Sequence, residues 1–121
     1  MVAKGYSQKE GIEYEKTFAV VAKLNTIRML IALATKKHWM IHQLDVKSTF
    51  LNGELKEEVY LEQPEGFVQK GKEHLVYRLK RDIYGLKQAP RFWYATIDSF
   101  FLQLGYNKSK GDPNMYTMKD E

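Results

Sequence analysis

Met40-Ile41-His42-Gln43-Leu44-Asp45-Val46-Lys47-Ser48-Thr49-Phe50-Leu51-Asn52-Gly53 sets the architecture expected of this chain. Its first half alternates, with Met40, His42, Leu44 and Val46 on one side and Ile41, Gln43 and Asp45 on the other. That is the period of a half-buried strand, and it brings Asp45 near the strand's end on the less apolar face. Taken alone, an aspartate there is more often a turn former or helix cap than a catalyst.

Upstream, Leu24, Ile27, Leu30, Ile31 and Ala34 follow helical spacing, with Asn25 or Thr26 available as a cap. An amphipathic helix over about 25–37 is predicted, its apolar face turned to the core. Downstream, 59–62 and 75–79 read as strands, separated by the Pro64-Glu65-Gly66 and Gly71 turns, and form a hairpin or a ladder in one sheet. Pro90 suits the first turn of a helix, and Phe92, Trp93, Ile97, Phe100, Phe101 and Leu104 give it an apolar stripe ended by Gly105. After Gly111-Asp112-Pro113, a last strand over 115–119 is expected to stand unpaired. The fold class is α+β, with the two helices packed on one face of a small antiparallel sheet that carries Asp45.

The 121 residues are 44% hydrophobic and 13% aromatic, enough for the core of one small domain or part of one. There is no cysteine, which removes disulfides, thiolate metal sites and cysteine nucleophiles and fits a reducing compartment, cytoplasmic or nuclear. The apolar run Met29 to Ala34 is far short of the roughly 20 residues of a membrane span, so no membrane partner is expected.

The net charge of +4 is unevenly distributed. Glu54, Glu57, Glu58, Glu62 and Glu65 face only Lys56, whereas Lys70, Lys72, Arg78, Lys80, Arg81, Lys87 and Arg91 outnumber Glu73 and Asp82. Such a basic stretch attracts a polyanion, and it also serves as an ordinary solvated face. No Gly-x-Ser-x-Gly, Walker or dinucleotide pattern appears.

The 42–53 stretch closely resembles the first palm motif of reverse transcriptases of copia-type LTR retrotransposons. Further stretches resemble the same family in the same order: Val2-Ala3-Lys4-Gly5-Tyr6-Ser7-Gln8, Tyr14-Glu15-Lys16-Thr17-Phe18-Ala19, Val59-Tyr60-Leu61-Glu62-Gln63-Pro64, Tyr84-Gly85-Leu86-Lys87-Gln88-Ala89-Pro90-Arg91, and Asp112-Pro113-Asn114. The resemblance spans nearly the whole chain. It implies that 1–121 is a partial reverse transcriptase domain, comprising the fingers and the N-terminal part of the palm, with the rest of the palm and the thumb absent.

For individual residues the resemblance implies an RNA-directed DNA polymerase that uses Mg²⁺, an RNA template, a DNA primer and deoxynucleotides. Asp45 resembles the first metal-binding catalytic aspartate, and the carbonyl of Val46 resembles a second oxygen ligand, the Val46 side chain being core. Phe50 falls where the family places an aromatic under the incoming sugar, a steric gate against the ribose 2′-hydroxyl. Spacing alone favours packing beneath the first helix, the resemblance favours the gate, and both roles are compatible. Gly85 lies in the loop whose backbone approaches the nucleotide and template, with Lys87 and Arg91 as contacts to nucleic acid; without the resemblance, these are an ordinary strand-to-helix loop and two solvent charges.

Departures are equally specific. Val20 stands where proline is usual, Thr49 and Phe92 where alanine is, and Gly111 where serine is. Lys4, in the segment resembling the fingers, reads as a surface charge. The Tyr-x-Asp-Asp motif that supplies the remaining metal-binding carboxylates does not occur in the 121 residues, so the chain alone is expected to bind Mg²⁺ poorly and to be inactive. The alternative reading is a non-catalytic nucleic-acid-binding remnant of a retrotransposon.

Overall fold

The structure, a computed structural model, describes residues 2–52, 55 and 57–118. Gly53, Glu54 and Lys56 of the stretches discussed above, and the Lys119 end of the last expected strand, lie outside the described residues. The chain divides into two units, the first made of 1–18 and 48–96, the second of 19–47 and 97–121. The class is α+β, with two long helices and two small antiparallel sheets. No helix among the described residues is long and apolar enough to cross a membrane.

In the first unit, β1 (Tyr60–Glu62) and β2 (Val76–Arg78) pair antiparallel, Tyr60 opposite Arg78 and Glu62 opposite Val76. Of the two arrangements open from the sequence, the hairpin is the one formed. Its long connection is closed by a single side chain. The Gln63 amide donates to the carbonyls of Lys72 at 2.6 Å and Leu75 at 3.0 Å, and its Oε1 accepts from the Gln69 amide at 2.8 Å. Beyond the strands, Val59, Leu86 and Ala89 form the buried nucleus, with Ala3, Phe50, Leu55, Leu79 and Ile83 packed against it. A nucleus of this size draws on segments from both ends of the unit, so it depends on non-local closure.

Helix α2 (Ala89–Gln103) takes Pro90 into its first turn and ends before Gly105, whose φ of 87° is the left-handed conformation that glycine tolerates. It passes by chain connectivity from the first unit into the second. Phe92 is buried, whereas Phe100 and Leu104 of the expected stripe are exposed. Phe101 is the aromatic centre of the second unit, with its ring 5.5 Å from Tyr106 and 4.8 Å from Tyr116.

Those tyrosines flank an unforeseen pairing: β3 (Asn107–Lys108) and β4 (Tyr116–Thr117) are antiparallel, so the final strand is paired. Two-residue strands carry too little periodicity to be read from sequence. Asp98 of α2 fastens the pair, accepting from the Tyr116 hydroxyl at 2.5 Å and from Lys108 at 2.5 Å.

Helix α1 (Leu24–Lys37) has the expected length but not the expected cap. It starts one residue early, after Lys23, which makes no side-chain cap bond. Asn25 and Thr26 therefore lie inside the first turn, and the Thr26 hydroxyl donates instead to Asp112 Oδ2 at 2.6 Å. His38 ends the helix at φ 54°, with the Trp39 amide bonded to Ala34 O at 2.9 Å. Of the apolar stripe only Ala34 is buried; Leu24, Ile27, Leu30 and Ile31 are exposed.

The strand expected over 40–46 is not formed, and Asp45 belongs to neither sheet. Alternation is a pattern of side chains, and a strand also needs a partner for its backbone amides and carbonyls. Met40 and Leu44 of this segment stand 80% and 90% exposed.

Candidate functional site

The motif loop that enters α2 is built by the N-terminal segment of the first unit. The Ala3 amide donates to Tyr84 O at 2.7 Å, next to Gly85 at φ 97°. A side chain on Gly85 would collide with the Ala3 backbone, and one on Gly5 with the Gly85 carbonyl. Glycine at 85 therefore has two physical reasons, a left-handed backbone and a neighbouring chain in contact.

The polar side of the same loop is fixed by Gln88, which has no exposed surface. Its Oε1 accepts from Gln8 Nε2 at 3.2 Å, and its own amide donates to Glu13 O at 3.5 Å. Gln8 Oε1 in turn accepts the Lys87 amide at 2.9 Å. Two glutamines thus seat the loop on 8–13, each satisfying the other's buried polar atoms.

Phe50, in a 3-10 turn over Thr49–Asn52, meets Tyr84 of this loop edge-on, ring centroids 4.6 Å apart and planes at 66°. Phe50 and Gly85, from separate stretches of the sequence, are therefore brought together through Tyr84. Phe50 also packs on the Val59, Leu86 and Ala89 nucleus, so it has a packing role within the first unit.

Lys87 and Arg91 turn back onto the protein. The Lys87 ammonium donates to Gln8 O at 3.1 Å and to the Tyr14 hydroxyl at 3.4 Å, and lies 5.1 Å from the centroid of the Tyr14 ring. Arg91 donates to Lys16 O at 3.5 Å. These donors help to hold the 8–16 segment, which neither solvent charges nor free phosphate contacts would do.

Asp45 and Val46 lie in the second unit, outside any helix or strand, and Asp45 is exposed. Val46 is 43% exposed and so is not core. Among the described residues no three of His, Cys, Asp or Glu converge as a metal-ligand group. One carboxylate and one carbonyl do not fit the near-octahedral oxygen shell that Mg²⁺ takes, so these residues do not by themselves form a site for the ion.

Two carboxylates carry features that sequence reasoning missed. Asp82 has no exposed surface and neither of its oxygens meets a donor among the described residues. Burial first, and then the charge of Glu57, push its pKa up to about 6. Asp112 is the opposite case: the Thr26 hydroxyl, followed by the Asn114 amide, holds its carboxyl below the usual range. The sequence signal for Asp112 was its place in Asp112-Pro113-Asn114; for Asp82, a lone acid after Lys80 and Arg81, there was none.

Comparison with known proteins agrees with the sequence motifs. Over the whole chain, residues 1–121, it matches the family described as reverse transcriptase (RNA-dependent DNA polymerase). It is 47% identical over 116 residues to the retrovirus-related Pol polyprotein from transposon TNT 1-94 of Nicotiana tabacum, covering 96% of this chain and 9% of that protein. Two similar proteins of Arabidopsis thaliana, the Pol polyproteins from transposons RE2 and RE1, are 44% and 40% identical over 98% of this chain and 8% of their own lengths. The chain thus spans less than a tenth of these relatives. No solved structure matches it. The chain belongs to the reverse transcriptase family, as a segment of the kind found in Pol polyproteins of copia-type retrotransposons.

Proposed function

We propose that this segment forms the fingers and the first part of the palm of an RNA-directed DNA polymerase, acting on an RNA template, a DNA primer and deoxynucleotides. The observation that carries this reading is the meeting of Phe50 with the Tyr84-Gly85 loop. Those residues come from the two stretches that resemble nucleotide-handling motifs, and the fold of one unit joins them.

In this reading Asp45 is the catalytic carboxylate. Asp45 and the Val46 carbonyl would hold Mg²⁺ only together with further carboxylates, and the ion would supply the charge stabilisation of nucleotidyl transfer. Phe50 lies beneath the incoming sugar and excludes a 2′-hydroxyl, and the Gly85 backbone comes close to the nucleotide. Lys87 and Arg91 act on nucleic acid partly by shaping the loop, through the bonds they make to Gln8, Tyr14 and Lys16. Direct phosphate contact then falls to Lys70, Lys72 and Lys80 in the basic stretch, a sequence-independent attraction.

The test is nucleotide incorporation by a complete reverse transcriptase domain containing these residues, with Phe50→Ala as the variant. Admission of ribonucleotides supports the reading; unchanged sugar selection removes Phe50 from the site.

A further inference from the structure

We infer that Tyr84 is a positioning residue that holds the Phe50 ring in place and so sets the discrimination between deoxyribose and ribose; this rests on the reading of Phe50 as the sugar gate. A gate excludes a hydroxyl only if its ring cannot swing away. Phe50 packs against the Val59, Leu86 and Ala89 nucleus. Tyr84 meets its ring edge-on at 4.6 Å, the geometry aromatic pairs favour.

Tyr84 is suited to act as a fixed stop. Tyr84 is 44% exposed, so it contributes little as core filling. Its backbone, by contrast, is held: its carbonyl accepts from Ala3 at 2.7 Å, and the following Gly85 lies too close to the Ala3 backbone to accommodate a side chain. The N-terminal segment thereby fixes Tyr84, and Tyr84 fixes Phe50. The Tyr84 hydroxyl has no part in the ring contact.

The experiment is primer extension by a complete reverse transcriptase domain containing this segment. It measures kcat/KM for each deoxynucleotide and its matching ribonucleotide. An aromatic pair of this kind corresponds to a roughly two- to tenfold change in selection. Tyr84→Leu is expected to lower the deoxy-over-ribo ratio by that factor, mainly by lowering KM for ribonucleotides. Tyr84→Phe keeps the parent ratio, and Tyr84→Leu adds nothing further in a Phe50→Ala background.

If Phe50→Ala leaves the ratio unchanged, the gate reading is overturned and this proposal with it. If Phe50→Ala lowers the ratio and Tyr84→Leu does not, the gate stands and the positioning role is overturned. A Tyr84→Leu protein that loses activity equally on both sugars shows a general structural role and likewise overturns it.

Discussion

Asp82→Asn is expected to stabilise the chain at neutral pH and to flatten its stability profile below that. Asp82 has no exposed surface, its oxygens meet no donor among the described residues, and burial followed by the Glu57 charge raises its pKa from 3.8 to about 6. Because the folded value lies above the unfolded one, the folded chain holds the extra proton between about pH 4 and 6. Stability associated with that proton is fully present below about pH 4, is lost as pH rises through about 6, and changes no further above about 7. At about 1.4 kcal/mol per tenfold, the displacement bounds the cost at about 3 kcal/mol. Structural relaxation and water penetration around the carboxylate reduce this to about 1–2 kcal/mol. Urea titrations of parent and variant from pH 4.5 to 7.5, followed by tryptophan fluorescence, read the difference directly. The variant is expected to gain on the parent as pH rises, by up to about 1–2 kcal/mol. A difference that stays constant across that range would refute the assignment of a buried, protonated Asp82.

Gly85→Ala combines a left-handed φ of 97° with a collision against the Ala3 backbone, and is expected to cost on the order of 2–3 kcal/mol in the same urea assay. Gly105→Ala, at φ 87° with open space around it, is expected to cost about 1 kcal/mol, so equal losses at the two sites would contradict the packing described. Affinity of the chain for single- or double-stranded nucleic acid is expected to fall with salt, linearly on logarithmic axes, and a flat titration would exclude the phosphate contacts proposed for the basic stretch. The purified 121-residue chain is expected to extend no primer with Mg²⁺ or Mn²⁺, since no three acidic or histidine ligands converge among its described residues; incorporation would refute that reasoning.

Local punctuation was legible in the sequence. Pro90 and Gly105 bracket α2 to within a residue, and the Pro64-Glu65-Gly66 and Gly71 turns separate β1 from β2 as expected. What the sequence withheld was non-local. Alternation over 40–46 was read as a strand, but pairing depends on a partner that the pattern cannot name. Lys87 and Arg91 look like members of a charged run, yet the carbonyls they reach, Gln8 and Lys16, lie far away in the chain. Asp82 sits among cations in sequence while its charged neighbour is Glu57; Arg78 is paired with Glu58, and Arg81 donates to Leu51 O. Spacing alone reads Phe50 as a packing residue and the family resemblance makes it a gate, whereas its contact with Tyr84 required the fold.

The central claim, that this segment supplies the carboxylate of a nucleotidyl-transfer site, rests on Asp45. Its most direct test is primer extension on an RNA template by a complete reverse transcriptase domain containing this segment, comparing Asp45 with Asp45→Asn at matched folded concentration. The substitution keeps size and hydrogen-bonding capacity while removing the charge that would bind a metal ion. The account predicts extension by the parent and none above background by Asp45→Asn. Full activity in the Asp45→Asn protein would contradict it.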